Sequence, residues 1–61
     1  METIKEILMQ RDGMSAEEAQ AIIDEASEEL QRRIADDDME GAMGICDEYF
    51  GLEPDYLDEL L

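Results

Sequence analysis

Histidine and tryptophan are absent from this 61-residue chain, cysteine and proline occur once each, and only four residues are basic. Each shortage removes a class of chemistry. Without histidine, and with one thiol at Cys46, the usual Cys/His zinc sites cannot be built. A lone cysteine also leaves no internal disulfide to staple a small fold. Nucleophile–histidine triads are excluded in practice. No glycine-rich phosphate loop is present, and so short a chain hardly forms the cleft that a paired-carboxylate glycosidase needs. We therefore expect no enzyme and no cofactor. Apolar runs fall well short of the ~18 residues that cross a bilayer. Met1-Glu2-Thr3-Ile4-Lys5-Glu6 lacks the basic and apolar regions of a secretory signal. An unpaired thiol without an export signal predicts a reducing cytoplasm.

What the chain has in excess is carboxylate. Nineteen acids face Lys5, Arg11, Arg32 and Arg33, for a net charge of −15. Residues 34–61 hold ten acids and no base. Repulsion at this density opposes compaction while favouring solubility. It also disfavours direct binding to nucleic acid or to an anionic membrane. The expected partner is a protein with a basic surface. High charge and few aromatics are marks of disorder, but 44% of the residues are hydrophobic and they recur at helical spacing. That periodicity predicts an all-α fold, a small bundle of three to four helices with short connections, as one domain over residues 1–61. A domain of this length buries only about 60% of its unfolded surface, so the core is thin.

Thr3 with Glu6 reads as a capping box opening a first helix through Ile4, Ile7 and Leu8, which Gly13 ends. Ser15 with Glu18 reads as a second box one corner later. Ala19, Ile22, Ile23, Ala26, Leu30 and Ile34 then mark the apolar stripe of a helix of roughly 20 residues, about 30 Å long. Glu28 with Arg32 and Glu29 with Arg33 are favourable i,i+4 pairs along it. The run Asp36-Asp37-Asp38 breaks the pattern, and Asp37 with Glu40 predicts a third cap. Met39, Ala42, Met43, Cys46, Tyr49 and Phe50 trace the next stripe, up to Gly51. Pro54 suits the first position of a last short helix carrying Tyr56, Leu57, Leu60 and Leu61, whose final leucines we expect to be buried.

Several acids stand where a helix does not favour them. Asp47 and Glu48, and then Asp58 and Glu59, fall toward helix C-termini, and Asp24/Glu28 and Glu25/Glu29 are like-charged i,i+4 pairs. Such a face either only solvates the protein or docks a basic groove, including one built for nucleic acid. The candidate docking residues are Asp24, Glu25, Glu28, Asp36, Asp37, Asp38, Asp47 and Glu48. The one metal-like pattern aligns Asp36, Asp38, Glu40 and Asp47 with positions 1, 3, 5 and 12 of a calcium loop, with Gly41 at position 6. Aspartate in place of the closing glutamate is a serious departure. A calcium loop would also unwind Met39 to Met43, which the stripe holds helical, so the cap is favoured. Met9, Met14, Met39 and Met43 suit either an adaptable peptide groove or core filler; their helical spacing favours the core. Cys46, on the stripe beside Asp47 and Glu48, is expected to be inert.

Ile7-Leu8-Met9-Gln10-Arg11-Asp12-Gly13, Ser15-Ala16-Glu17-Glu18-Ala19 and Gly51-Leu52-Glu53-Pro54-Asp55-Tyr56-Leu57 together resemble short uncharacterised acidic helical proteins encoded by bacteria and their phages or mobile elements. The resemblance covers most of the chain and implies a small helical protein from a mobile-element setting, a setting that favours an inhibitor or accessory protein acting on a host factor. It transfers no functional residue. Three functions stay open at this level: an acidic interaction module with a basic partner, a calcium- or cation-responsive module using the acidic loop 36–47, and a structural or regulatory module whose binding surface is apolar; a homodimer is compatible with the first and the last.

Overall fold

The computed structural model describes residues 2–61, and among them it contains helices and no strand. α1 spans Ile4–Arg11, α2 Ala16–Ala35, α3 Met39–Met43 and α4 Ile45–Phe50, and a 3-10 helix covers Pro54–Leu60. The all-α bundle with short connections is the fold the chain adopts. No helix among the described residues is long and apolar enough to cross a membrane.

The first two helices start where side-chain acceptors stand ready for orphan amides. Thr3 Oγ1 accepts from Glu6 N at 3.1 Å, and Ser15 Oγ accepts from Glu18 N at 3.1 Å. Gly13 and Gly51 end α1 and α4 with φ of 67° and 66°. In both turns the next amide folds back onto the helix, Met14 N to Leu8 O at 3.4 Å and Leu52 N to Cys46 O at 3.1 Å. Glycine takes this left-handed conformation without a Cβ clash.

α2 ends in a related way but without glycine. Asp37 has a φ of 63°. Its amide donates to Ile34 O at 3.0 Å, and that of Asp38 donates to Arg33 O at 2.8 Å, the paired bonds of a Schellman motif. This corrects the expected third cap. A left-handed Asp37 belongs to the exit of α2, so the cap of α3 falls one residue later. Asp38 Oδ1 accepts from Gly41 N at 3.0 Å. Gly41 leaves room for that carboxylate, which a Cβ would overlap.

The expected third helix is also broken, at Gly44. The Gly41 carbonyl accepts from Gly44 N at 3.2 Å and from Arg33 Nη1 at 2.8 Å, which tightens the turn between α3 and α4. The apolar stripe shifts with it. Ala42, Ile45, Cys46 and Phe50 are buried, whereas Met39 and Met43 are 57% and 53% exposed. Methionine therefore does not fill this core: Met14 only packs against it from the edge, and Met9 is exposed.

α2 is the axis on which the rest assembles. Its buried Ala19, Ala26 and Leu30 meet Ile4 and Leu8 of α1, the buried residues of α3 and α4, and Leu60 of the 3-10 helix in one cluster. Alanine at Ala19, Ala26 and Ala42 lets helices approach closely, with ridges of larger side chains between them. The C-terminal segment is tied by polar bonds as well. Ser27 Oγ donates to Leu60 O at 2.9 Å, and Glu59 Oε1 accepts from Ile4 N at 3.0 Å. Leu61, expected inside, is 73% exposed, and Ile34, the last residue of the α2 stripe, lies beyond the core.

Because Asp37 alone holds a left-handed conformation with a Cβ, Asp37→Gly should relieve strain and remove a carboxylate from the α2 C-terminus. We expect a gain of about 0.5–1 kcal/mol, read as a melting temperature roughly 2–8 °C higher. Thermal melts followed by circular dichroism measure it.

Candidate interaction surface

Arginine placement decides which carboxylates are neutralised. Arg33 is half-buried in the last turn of α2. Its Nε donates to Glu29 Oε2 at 3.0 Å, and its Nη1 donates to the Gly41 carbonyl and to Glu48 Oε2. One guanidinium thus ties α2 to both α3 and α4 through charge-assisted bonds. Arg32 pairs with Glu29 at 2.9 Å and not with the expected Glu28, because the carboxylate one turn below already faces both arginines. Arg11 clasps Asp12 and places Nη2 2.6 Å from the Phe50 carbonyl. There, at the end of α4, a cation complements unsatisfied carbonyls.

These contacts set the local titration. The Arg33 hydrogen bond holds the Glu48 carboxyl below its usual range, and the Arg11 hydrogen bond does the same for Asp12. Arg33 is in turn harder to deprotonate, first through Glu48 and then through Glu29. Cys46 is fully buried; burial, and then the charge of Glu59, push its thiol up. A thiol so placed is inert.

Among the described residues, Asp12, Glu29 and Glu48 are the acids in ion pairs, three of nineteen. The remainder of the acidic surface is not neutralised from within. Asp24, Glu25 and Glu28 are exposed on α2, on the side away from Ala26 and Leu30. Asp24 accepts from Gln20 Nε2 at 2.9 Å. Asp36, Asp37 and Asp38 form the exposed α2–α3 corner, and Asp47 is exposed on α4. Two of the eight candidate docking residues have structural work of their own: Asp38 caps α3 and Glu48 holds Arg33. The α2 carboxylates and the 36–47 carboxylates lie on different elements and form no single cleft; no pocket opens among the described residues.

Two sequence expectations change here. Asp47 and Glu48 lie in the first turn of α4, since the break at Gly44 starts a new helix; their place relative to the dipole is favourable, not adverse. Glu59 likewise finds the first amide of α1. Nor do Asp36, Asp38, Glu40 and Asp47 gather as ligands. Among the described residues no group of three potential ligands stands together, and residues 39–43 are helical rather than looped. Asp38 directs its carboxylate at Gly41 N.

The Arg33 cluster is the contact that sequence reading only half captured. Its Glu29 arm follows from i,i+4 spacing, but Glu48 and Gly41 O are brought to it by the fold. Glu48 has a folded pKa below its unfolded one. Its contribution to stability is therefore present above the ordinary carboxylate range and lost as pH falls through the lowered value. Arg33→Gln should lower the melting temperature by several degrees near neutral pH. The gap from the wild type should narrow in acid, as pH falls below the ordinary carboxylate range and Glu48 takes up its proton in the folded state. Melts across that range measure the difference.

No protein-family model matches the sequence, and no curated protein or solved structure matches it either.

Proposed function

We propose that this chain is an acidic protein-interaction module, an inhibitor or accessory protein that presents a carboxylate face to a basic partner. The observation that carries the reading is the engagement of all three arginines within the fold, Arg11 and Arg33 also holding backbone carbonyls. Apart from Lys5, the charge left over on the surface is carboxylate. Exposed acids far in excess of what the fold neutralises make the potential around the molecule strongly negative. They steer a basic partner into encounter and orient it, more than they add raw affinity. The absence of pocket and of metal-ligand cluster among the described residues leaves this surface as the chemistry on offer. The bacterial and mobile-element resemblance supports the same class of role, on a host protein that normally grips phosphates or acidic segments.

Residues for the face are Asp24, Glu25 and Glu28 on α2, and Asp36, Asp37 and Asp47 around the α2–α3–α4 corner, none of which holds an ion pair among the described residues. The triple reversal Asp24→Lys, Glu28→Lys and Asp36→Lys leaves the core untouched. In pull-downs from a bacterial lysate, wild type should retain a basic protein at about 0.05 M salt and release it at about 0.5 M. The triple variant should fail to retain it at either salt. Equal retention by both chains would remove the carboxylate face as the docking surface.

A further inference from the structure

The acidic corner carries something that charge alone does not explain. Ile34, Met39 and Met43 are three of the five exposed large hydrophobic side chains among the described residues, all within one ten-residue stretch around the α2–α3 turn. Met39 and Met43 stand at i,i+4 spacing on α3, so their side chains are neighbours on one face. The other large apolar residues of α3 and α4, Ile45, Cys46 and Phe50, are sealed in the core, with Tyr49 packed against it. Asp36, Asp37, Glu40 and Asp47 flank the methionine pair along the chain, all exposed and none with an ion-pair partner among the described residues.

We infer that the Met39–Met43 face of α3 docks an amphipathic basic helix of the partner protein. The inference rests on the carboxylate docking proposed above and names the segment that docks. Several occupants are disfavoured by what is on the surface. A second copy would bring two sets of the same unpaired carboxylates together, with no base in residues 34–61 to bridge them. An extended peptide needs a sheet edge, and the described residues contain no strand. A proline-rich ligand needs an aromatic groove, and Tyr49, Phe50 and Tyr56 are all at least half-buried. Phosphorylated segments need a free arginine cluster, whereas Arg11, Arg32 and Arg33 are ion-paired.

A helix with apolar residues down one side and lysine or arginine flanking them meets both parts of the face. Its apolar anchors cover the methionines, and its bases meet Asp36, Asp37, Glu40 and Asp47. Unbranched, polarisable methionine adapts its shape to such anchors, which suits a surface that repacks on contact.

The test uses the full chain and two fluorescently labelled peptides of about eighteen residues, five helical turns. Both contain the same leucines and lysines. One places leucine at i, i+3, i+4 and i+7, and the other is scrambled. The amphipathic peptide should bind wild type at least about tenfold more tightly than the scramble. Met39→Gln with Met43→Gln should erase that advantage while leaving circular dichroism and melting temperature unchanged, since neither side chain is in the core. Equal binding of the two peptides to wild type would overturn the methionine face and leave charge docking standing. So would an advantage that survives the double substitution. A wild-type dimer in sedimentation that the double substitution abolishes would assign the face to a second copy instead. Binding of neither peptide at low salt would sink the carboxylate reading along with this one.

Discussion

The length of α2 is the constraint on which the rest of the molecule depends. At 20 residues it is the one helix here long enough to persist in isolation; the other elements have 8, 5, 6 and 7. In water, helices shorter than roughly 12–15 residues are marginal. Each short element therefore owes its helicity to docking on the strip of α2 around Ala19, Ala26 and Leu30, directly or through a neighbour. Folding of such a chain is cooperative by necessity, because the small helices gain their backbone bonds and their burial together.

Negative charge works against that assembly, and the three arginines are used accordingly. Arg33 and Arg11 sit at seams between elements, where each also holds a backbone carbonyl, of Gly41 and of Phe50. Arg32 shares Glu29 with Arg33. Placed there, Arg11 and Arg33 hold elements of the bundle together, while the Arg32 pair stays within α2. Carboxylates too are recruited at helix starts, with Asp38 on the first turn of α3 and Glu59 on the first amide of α1. Some acids that look misplaced along the sequence thus have structural partners. The excess that remains is spread over α2, the α2–α3 corner and both ends of the chain, and an external basic partner would meet it there.

That corner joins strain, exposure and charge within a few residues. A left-handed Asp37 with a Cβ, a capping Asp38 and two solvent-facing methionines follow one another. Local stability would favour glycine at the turn and polar residues in place of the methionines. Departures from local preference concentrated in one place, on an otherwise consistent fold, mark where a sequence serves something besides folding.

Helix type, the extent of α2, the caps at Thr3 and Ser15, and the glycine stops at Gly13 and Gly51 were all legible in the sequence, because each depends on neighbours within one or two turns. The exposure of most of the candidate acids could be expected as well, from their charge and their place on the helices. What only the tertiary structure decided involves partners far apart along the chain. Arg33 takes Glu48 and the Gly41 carbonyl from across the bundle, the helix after residue 38 breaks at Gly44, and the buried face rotates from Met39 and Met43 to Ile45. Periodicity cannot separate these outcomes, since Met43 and Ile45 both lie near the edge of the same apolar stripe. The choice between them is made by the way α3 and α4 lie across α2, and that angle is a property of packed surfaces, not of local spacing.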